Sequence, residues 1–280
     1  MLILYGDCPL LLPSTLERLV EKQRRSAAAA TLLTTALDDP AGYGRIVRDA
    51  GGNLRAIVEE KAAAAEQLAI REINAGIYCF RADLLWEFIP RIQPYNPAGE
   101  YYLTDMVELL RHAGYDIGSV FHADAQELLG VNSRVDLAAA DKVLRARTAR
   151  RLMLEGVTIR QPETVTIDDQ VEIGCDTVVE PFSSILGATK IGEDCRVGAG
   201  AIIRDSSIGP GVAIEPFTVI DSSRLETGVR VGPFARLRMN SHLEADSRVG
   251  NFVELKNTRL GAGSKSMHLA YLGDATIGRK

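Results

Sequence analysis

Three sets of residues in this chain have types and spacings that could do chemistry. His268 is the first, because an imidazole titrates near neutrality and can take up and return a proton at physiological pH. It stands in Gly263-Ser264-Lys265-Ser266-Met267-His268-Leu269-Ala270-Tyr271-Leu272-Gly273-Asp274, where Ser266 interrupts a beat of aliphatic residues. A lone histidine is otherwise a satisfied surface group, and His112, His122 and His242 lack such a setting. Arg238 and Lys256 form the second set: they lie eighteen residues apart, each one residue past an aliphatic anchor, so a structure repeating on that period stacks them. A guanidinium offers phosphate a two-pronged contact and an ammonium a point charge; the alternative is a solvated ladder of charge. Asp7, the third, follows Gly6 just past the apolar run Leu2-Ile3-Leu4. Ligands bind outside the carboxyl ends of strands in open α/β sheets. A carboxylate there can hold magnesium, a hard cation that wants oxygen ligands. A turn or helix-capping aspartate fits these residues equally well.

The elements that position Arg238, Lys256 and His268 come from a six-residue period. Ile167, Ile173, Val179, Ile185, Ile191, Val197 and Ile203 keep it; a five-residue step leads to Ile208, Ile214 and Ile220, and another to Leu225, Val231, Leu237, Leu243, Val249 and Leu255. No helix or ordinary strand has that period, and a sandwich would give drifting spacing and two-residue alternation. Sixteen anchors with two slips predict a hexapeptide solenoid, each hexad supplying a short strand with one inward aliphatic side chain. Gly174, Gly192, Gly198, Gly209, Gly232 and Gly250 follow anchors and are read as corner residues tolerating tight-turn angles.

The first half alternates strands and helices. Leu2-Ile3-Leu4 reads as a short buried strand, and Ser14 with Glu17 as a capping box opening an amphipathic helix. Ala30 to Leu37 is a strand, Arg45 to Asp49 and Leu54 to Glu59 a hairpin, and Ile73 to Phe80 a further strand. Asp83 to Ile89 and Leu103 to His112 are helical. The expectation is a mostly parallel sheet covered on both faces. Ser133 and Asp136 form a second capping box, opening a connector helix that ends before Gly156 and carries Arg145, Arg147, Arg150 and Arg151, a solvated face rather than a phosphate site. The domains expected are 1–132, a linker helix 133–156, and 157–280.

With 280 residues, 46% of them hydrophobic, the chain can bury more than one core. A net charge of −5 argues against a general nucleic-acid binder. Four cysteines without CxxC or framework spacing argue against zinc and disulfides and for a reducing, cytoplasmic setting. No stretch approaches a membrane span, and Met1 to Leu4 is too short and uncharged for a signal peptide.

Several ordered motifs carry a resemblance. In the first half they are Tyr5-Gly6-Asp7-Cys8-Pro9-Leu10, Asp39-Pro40-Ala41-Gly42-Tyr43-Gly44-Arg45-Ile46, Ile57-Val58-Glu59, Glu72-Ile73-Asn74-Ala75-Gly76-Ile77, Gly99-Glu100-Tyr101-Tyr102-Leu103-Thr104-Asp105 and Gly130-Val131-Asn132. In the second they are Gly232 to Arg238, Val249 to Lys256 and His268 to Asp274. Nearly the whole chain thereby resembles the bacterial bifunctional N-acetylglucosamine-1-phosphate uridylyltransferase/glucosamine-1-phosphate acetyltransferase family. The resemblance implies an α/β fold, part of a Rossmann-like nucleotidyltransferase, followed by an all-β left-handed parallel β-helix. It implies acetyl transfer from acetyl-CoA to glucosamine 1-phosphate, then uridylyl transfer from UTP, toward peptidoglycan and lipopolysaccharide precursors.

By the same resemblance Asp7 and Asn132 match the ligands of Mg2+, and Tyr5, Gly6, Asp7, Gly44, Glu59, Asn74 and Asn132 the nucleotide-sugar site. His268 matches the catalytic base, and Arg238, Lys256 and Tyr271 the residues that hold the amino-sugar phosphate. The partners implied are small-molecule sugar phosphates and, for the intact protein, two further copies in a homotrimer; neither nucleic acid nor membrane is implied. Met239-Asn240 stands where the family has Pro-Gly, which puts the aim of Arg238 in question. The family's Gly-rich phosphate loop would lie upstream of Met1, in about a hundred residues, the span of a small domain, and its coenzyme A coils past Lys280, so a fragment is expected. Another sugar-1-phosphate nucleotidylyltransferase with a structural β-helix, or a non-catalytic regulatory subunit of the same layout, are the alternatives; Asp7, Asn132 and His268 together count against the latter.

Overall fold

The computed structural model describes residues 1–95 and 99–280, in two compact units, Met1–Ala140 and Asp141–Lys280. The first holds β1 (Leu2–Ile3), α1 (Pro13–Ser26), β2 (Ala30–Ala36), β3 (Arg45–Arg48), β4 (Leu54–Val58), α2 (Ala65–Leu68), β5 (Glu72–Phe80), α3 (Ala82–Phe88), α4 (Asp105–His112) and β6 (Ile117–Phe121). α5 (Arg134–Leu154) spans the boundary between the units.

The sheet order is β4-β3-β5-β2-β6, with β1 paired to β5. β5 lies in its middle and is buried from Ile73 to Phe80, so its two faces feed two cores. Tyr78 and Phe80 join Leu32, Leu85, Met106 and Leu110 on one side, while Ile77 and Cys79 join Leu19, Leu33 and Leu128 on the other. This is the two-residue alternation of a strand covered on both faces.

Three expectations fail here. The sheet is mixed rather than mostly parallel: β2 with β6 is its one parallel pairing among the described residues. α1 does connect two strands of like direction, β1 and β2, but β5 inserts between them and runs opposite to both, and β3 and β4 form an antiparallel hairpin. β1 is not buried, since it pairs on one side with the end of β5 and leaves Leu2 exposed. α1 begins at Pro13 without any side-chain cap, so Ser14 and Glu17 form no capping box. Its orphan donor is met from afar, the Glu127 carboxylate accepting the Leu12 N–H at 2.9 Å. The second capping box does form: the Ser133 hydroxyl accepts the Asp136 N–H at 3.2 Å and Asp136 accepts the Ser133 N–H at 2.8 Å.

The second unit is a parallel solenoid of three seven-stranded faces. One runs from Thr158–Ile159 to Lys265–His268, the next from Thr166–Ile167 to Tyr271–Gly273, the third from Glu172–Ile173 to Thr276–Ile277. All sixteen anchors are buried in one continuous core. The two five-residue steps appear as short coils: Ile185 pairs with Ile203, eighteen residues on, but Ile203 pairs with Ile220 and Ile220 with Leu237, seventeen on.

The anchor-following glycines serve another purpose than the one expected. Among the six, Gly232 alone has positive φ. A Cβ on Gly174 would come within 2.6 Å of the Glu193 nitrogen, one on Gly198 within 2.6 Å of the Pro216 nitrogen, and one on Gly250 would strike the Met267 carbonyl. These glycines let successive coils approach. Left-handed angles fall elsewhere, on three corner columns: Asp176, Asp194, Gly211, Gly228, Asp246 and Gly263; Gly187, Asp205, Ser222, Asn240, Asn257 and Asp274; and Phe182, Gly200, Phe217, Phe234, Phe252 and Leu269. In the last column the rings of Phe217, Phe234 and Phe252 are half-exposed and stack at 5.3 and 5.4 Å.

Candidate active sites

In the first unit the chain turns out of β1 through Tyr5, Gly6 and Asp7, and the loop after β6 returns beside it. The Val131 N–H donates to the Asp7 carbonyl at 2.8 Å. Gly130 lies between the two side chains of interest: a Cβ there would be 2.9 Å from Asp7 Oδ2 and 3.7 Å from Asn132 Nδ2. Asp7 and Asn132 are thus brought together, both exposed, from points 125 residues apart in sequence. A carboxylate beside a side-chain amide leaves most of a hard cation's coordination to water and ligand oxygens, which fits Mg2+. Among the described residues no group of three or more His, Cys, Asp or Glu side chains could hold a metal. Burial and then the neighbouring Asp7 charge push the Cys8 thiol up to about 11, which disfavours the reactive thiolate.

The other predicted residues of this half form a connected wall. The Asn74 N–H donates to the Gly44 carbonyl at 2.9 Å, and a Cβ on Gly44 would lie 3.3 Å from Glu59 Oε1. The Asn74 amide donates to the Tyr78 hydroxyl oxygen at 2.6 Å and its Oδ1 accepts the Gly76 N–H at 3.1 Å. The Tyr5 ring lies where a Gly76 side chain would be, next to Tyr78. Burial, then the Glu59 charge, raises the Tyr5 pKa, so its hydroxyl stays protonated at neutral pH. Tyr78, Thr104 and Tyr43 take part although sequence reasoning gave them no role. Thr104 Oγ1 donates to Glu59 Oε1 at 3.1 Å, and Tyr43 lies close to Gly130. The motifs containing Tyr43 and Thr104 were visible; Tyr78 looked like core. A cleft of ≈ 420 Å³ opens beside Glu59, lined also by Tyr102, Asp105, Arg91 and His112.

In the solenoid, Arg238 and Lys256 are register partners on the second face, and Lys256 pairs with Gly273 on the next coil. Tyr271 pairs with Glu254, and its hydroxyl lies over Gly273, the register partner of Lys256. Each cation already has an acid: Arg238 Nε donates to Glu254 Oε1 at 2.7 Å, and Lys256 Nζ lies 3.1 Å from Asp274 Oδ2. Hydrogen bonds from Asn257 and then from Lys256 lower the Asp274 pKa. Glu254 and Asp274 were not foreseen: Glu254 stands sixteen residues past Arg238 and Asp274 eighteen past Lys256, with no common spacing to single them out. Met239 and Asn240 both adopt left-handed angles, so the corner forms without Pro-Gly, and Met239 Sδ lies 3.2 Å from Arg238 Nη1. His268 is exposed on the neighbouring face, paired with Asn251, with Leu269 turning the corner between it and the strand of Tyr271. The cations and tyrosine therefore share a face, and the imidazole lies around one corner. Of the connector arginines, Arg145 pairs with Asp141 and donates to Thr166 Oγ1 at 2.7 Å, and Arg151 pairs with Glu155 and donates to the Asp169 carbonyl at 3.3 Å.

Residues 170–205 match the family model "Bacterial transferase hexapeptide (six repeats)". Over its whole length the chain is 52% identical to a "Bifunctional protein GlmU" of Solibacter usitatus, of which it covers 60%. It is 46% identical over 99% of its length to one of Anaeromyxobacter dehalogenans, of which it covers 57%. A hexapeptide transferase family protein of Anaplasma phagocytophilum aligns with 42% of this chain and 74% of its own, at 19% identity and a TM-score of 0.40. From end to end, then, this chain is related by sequence to the bifunctional GlmU proteins, and it spans about three fifths of the length of the curated relatives it matches.

Proposed function

We propose that this chain carries parts of two transferase sites that together make UDP-N-acetylglucosamine from glucosamine 1-phosphate, acetyl-CoA and UTP. The observation that supports it most is the convergence of Asp7 and Asn132 on Gly130, since the residues implied as metal ligands meet although nothing in their spacing required it. In the solenoid His268 takes a proton from the substrate ammonium and frees the lone pair that attacks the acetyl thioester; the C–S bond breaks, and the departing thiolate takes the second proton released as the nitrogen becomes an amide. Arg238 and Lys256 grip the phosphate by exchanging part of their contact with Glu254 and Asp274 for phosphate oxygens, and Tyr271 hydrogen-bonds the sugar.

In the first unit Asp7 and Asn132 hold Mg2+, which supplies charge neutralisation at the phosphates when bound. Glu59 and Asn74 accept from and donate to the sugar, Gly44 permits close approach, and Tyr5 stands beside Gly6 and Asp7 at the nucleotide sugar. The intact protein works as a homotrimer in the cytoplasm; no helix among the described residues is long and apolar enough to cross a membrane. The test is a coupled assay of the gene product with glucosamine 1-phosphate, acetyl-CoA, UTP and Mg2+. N-acetylglucosamine 1-phosphate and then the UDP-sugar are the expected products, and failure to form either overturns the reading.

A further inference from the structure

The third face of the solenoid has a ladder of cations that breaks at one place. Lys190 lies 2.8 Å from Glu172, its register partner on the preceding coil. Arg259 is held by Glu244, Nε to Oε1 at 2.6 Å, and His242 Nε2 lies 2.8 Å from Glu226 Oε1. Glu244 stands two residues past His242, and Glu226 two past Arg224, so in each case an acid two positions on reaches the basic group of the next coil. The position that would serve Arg224 in this way is two past Ser207, and it is Gly209. Arg224 accordingly has no acid partner among the described residues, in a column whose other basic residues, Lys190, His242 and Arg259, do.

The unspent guanidinium opens onto a built space. Asp205, Ser207, Ser222, Arg224, Asn240 and His242 line a cleft of ≈ 400 Å³. Ser207, Arg224 and His242 are successive register partners, and Asp205, Ser222 and Asn240 run beside them on the left-handed corner. The corner is fixed from within: Ser206, Ser223 and Ser241 turn their hydroxyls inward to the carbonyls of Arg204, Asp221 and Arg238 at 2.6, 2.8 and 2.9 Å.

We propose that this cleft binds a phosphomonoester of a hydroxylated carbon chain, independently of the acetyl and uridylyl chemistry. The guanidinium gives two parallel N–H donors suited to phosphate oxygens. The Ser207 hydroxyl and the Asn240 amide have no partners among the described residues and supply further donors. The contact of His242 Nε2 with Glu226 Oε1 at 2.8 Å leaves Nδ1 as the uncommitted ring nitrogen. Asp205 Oδ1 already accepts the Ala188 N–H at 3.0 Å, and its other oxygen is placed to accept from a ligand hydroxyl. Ser222 donates to Asp221 Oδ1 at 2.8 Å and leaves its oxygen as an acceptor. An anion alone would meet repulsion from Asp205, whereas a phosphorylated polyol uses both signs of charge.

The experiment is a titration of this chain followed by the ring signals of its four histidines, assigned by single His→Asn variants. Glycerol 1-phosphate should shift His242 saturably, and inorganic phosphate should do so more weakly. Arg224→Gln should weaken the His242 response at least tenfold, about 1.4 kcal/mol, while Lys190→Gln, on the same face but already paired, should leave it unchanged. The His268 signal reports separately on phosphate at Arg238 and Lys256, so failure of one site does not mask the other. An unsaturable His242 response, or an Arg224→Gln variant that titrates like the parent, overturns the proposal; equal affinity for inorganic phosphate overturns the choice of a polyol ester in favour of free phosphate.

Discussion

Adding one methyl group at Gly250 and at Gly211 separates two explanations of glycine in this solenoid. If glycine is needed for left-handed angles, Gly211, with φ of +66° and open space about its missing side chain, is the sensitive position. If it is needed for coil-to-coil approach, the sensitive position is Gly250, whose φ is ordinary but whose Cβ would strike the Met267 carbonyl. Gly211→Ala costs roughly 1 kcal/mol, the left-handed penalty of an L-residue. Gly250→Ala meets a backbone atom fixed in the next coil, and that strand cannot retreat without giving up ladder bonds around Ser266 and His268. We expect about 3 kcal/mol, the upper part of the overpacking range. At roughly 3 °C per kcal/mol for a unit of this size, the midpoints should fall by about 3 °C and about 9 °C. Circular dichroism melts at matched concentration read both. Equal losses, or a larger loss at Gly211, would refute the close-approach account.

Other outcomes follow from the same geometry. In the intact protein His268→Ala should abolish acetyl transfer and leave uridylyl transfer near the parent rate, read by the two half-reactions; equal loss of both contradicts separate sites. Asp7→Ala should do the reverse, and an unchanged Mg2+ dependence would remove Asp7 from the metal site. Glu127 is buried, and although desolvation raises its pKa, bonds from Thr15 and the Leu12 N–H and the nearby His122 lower it on balance. Its folded pKa therefore lies below the unfolded value of about 4.3. The stability it contributes is full above that value and is lost as pH falls through the folded one. Glu127→Gln should flatten the acid side of the stability curve below about pH 5, checked by urea titration across pH; an unaltered slope refutes the assignment.

Much of the second unit was legible because its period is written in single side chains. Ile167 to Leu255 each occupy one inward position, so the beat survives without knowledge of neighbours. The glycines misled because sequence shows which residue is small but not which atom stands opposite it. In the first unit five of the six strands were found and β6 (Ile117–Phe121) was missed; pairing direction is a property of partners distant in sequence, and nothing in residues 72–80 says that β5 will thread between β1 and β2. The cap of α1 was misread for the same reason, since its acceptor lies 115 residues away. The residue types of the sites were legible through ordered motifs. The acids that hold Arg238 and Lys256, and the Tyr78 hydroxyl under Tyr5, needed coordinates.

The phenylalanine column bears on how the solenoid comes apart. Phe234 shares both ring faces, whereas Phe217 and Phe252 each share one. A stacked pair contributes about 1 kcal/mol beyond burial, so the middle coil is tied to its neighbours along an outer edge as well as through the core. The chain of rings is cut below by Gly200 and above by Leu269. Fraying should halt at those two breaks, leaving the coils of residues 217–252 as the slowest to exchange their amides with deuterium, and the coil bearing His268 outside that protected block.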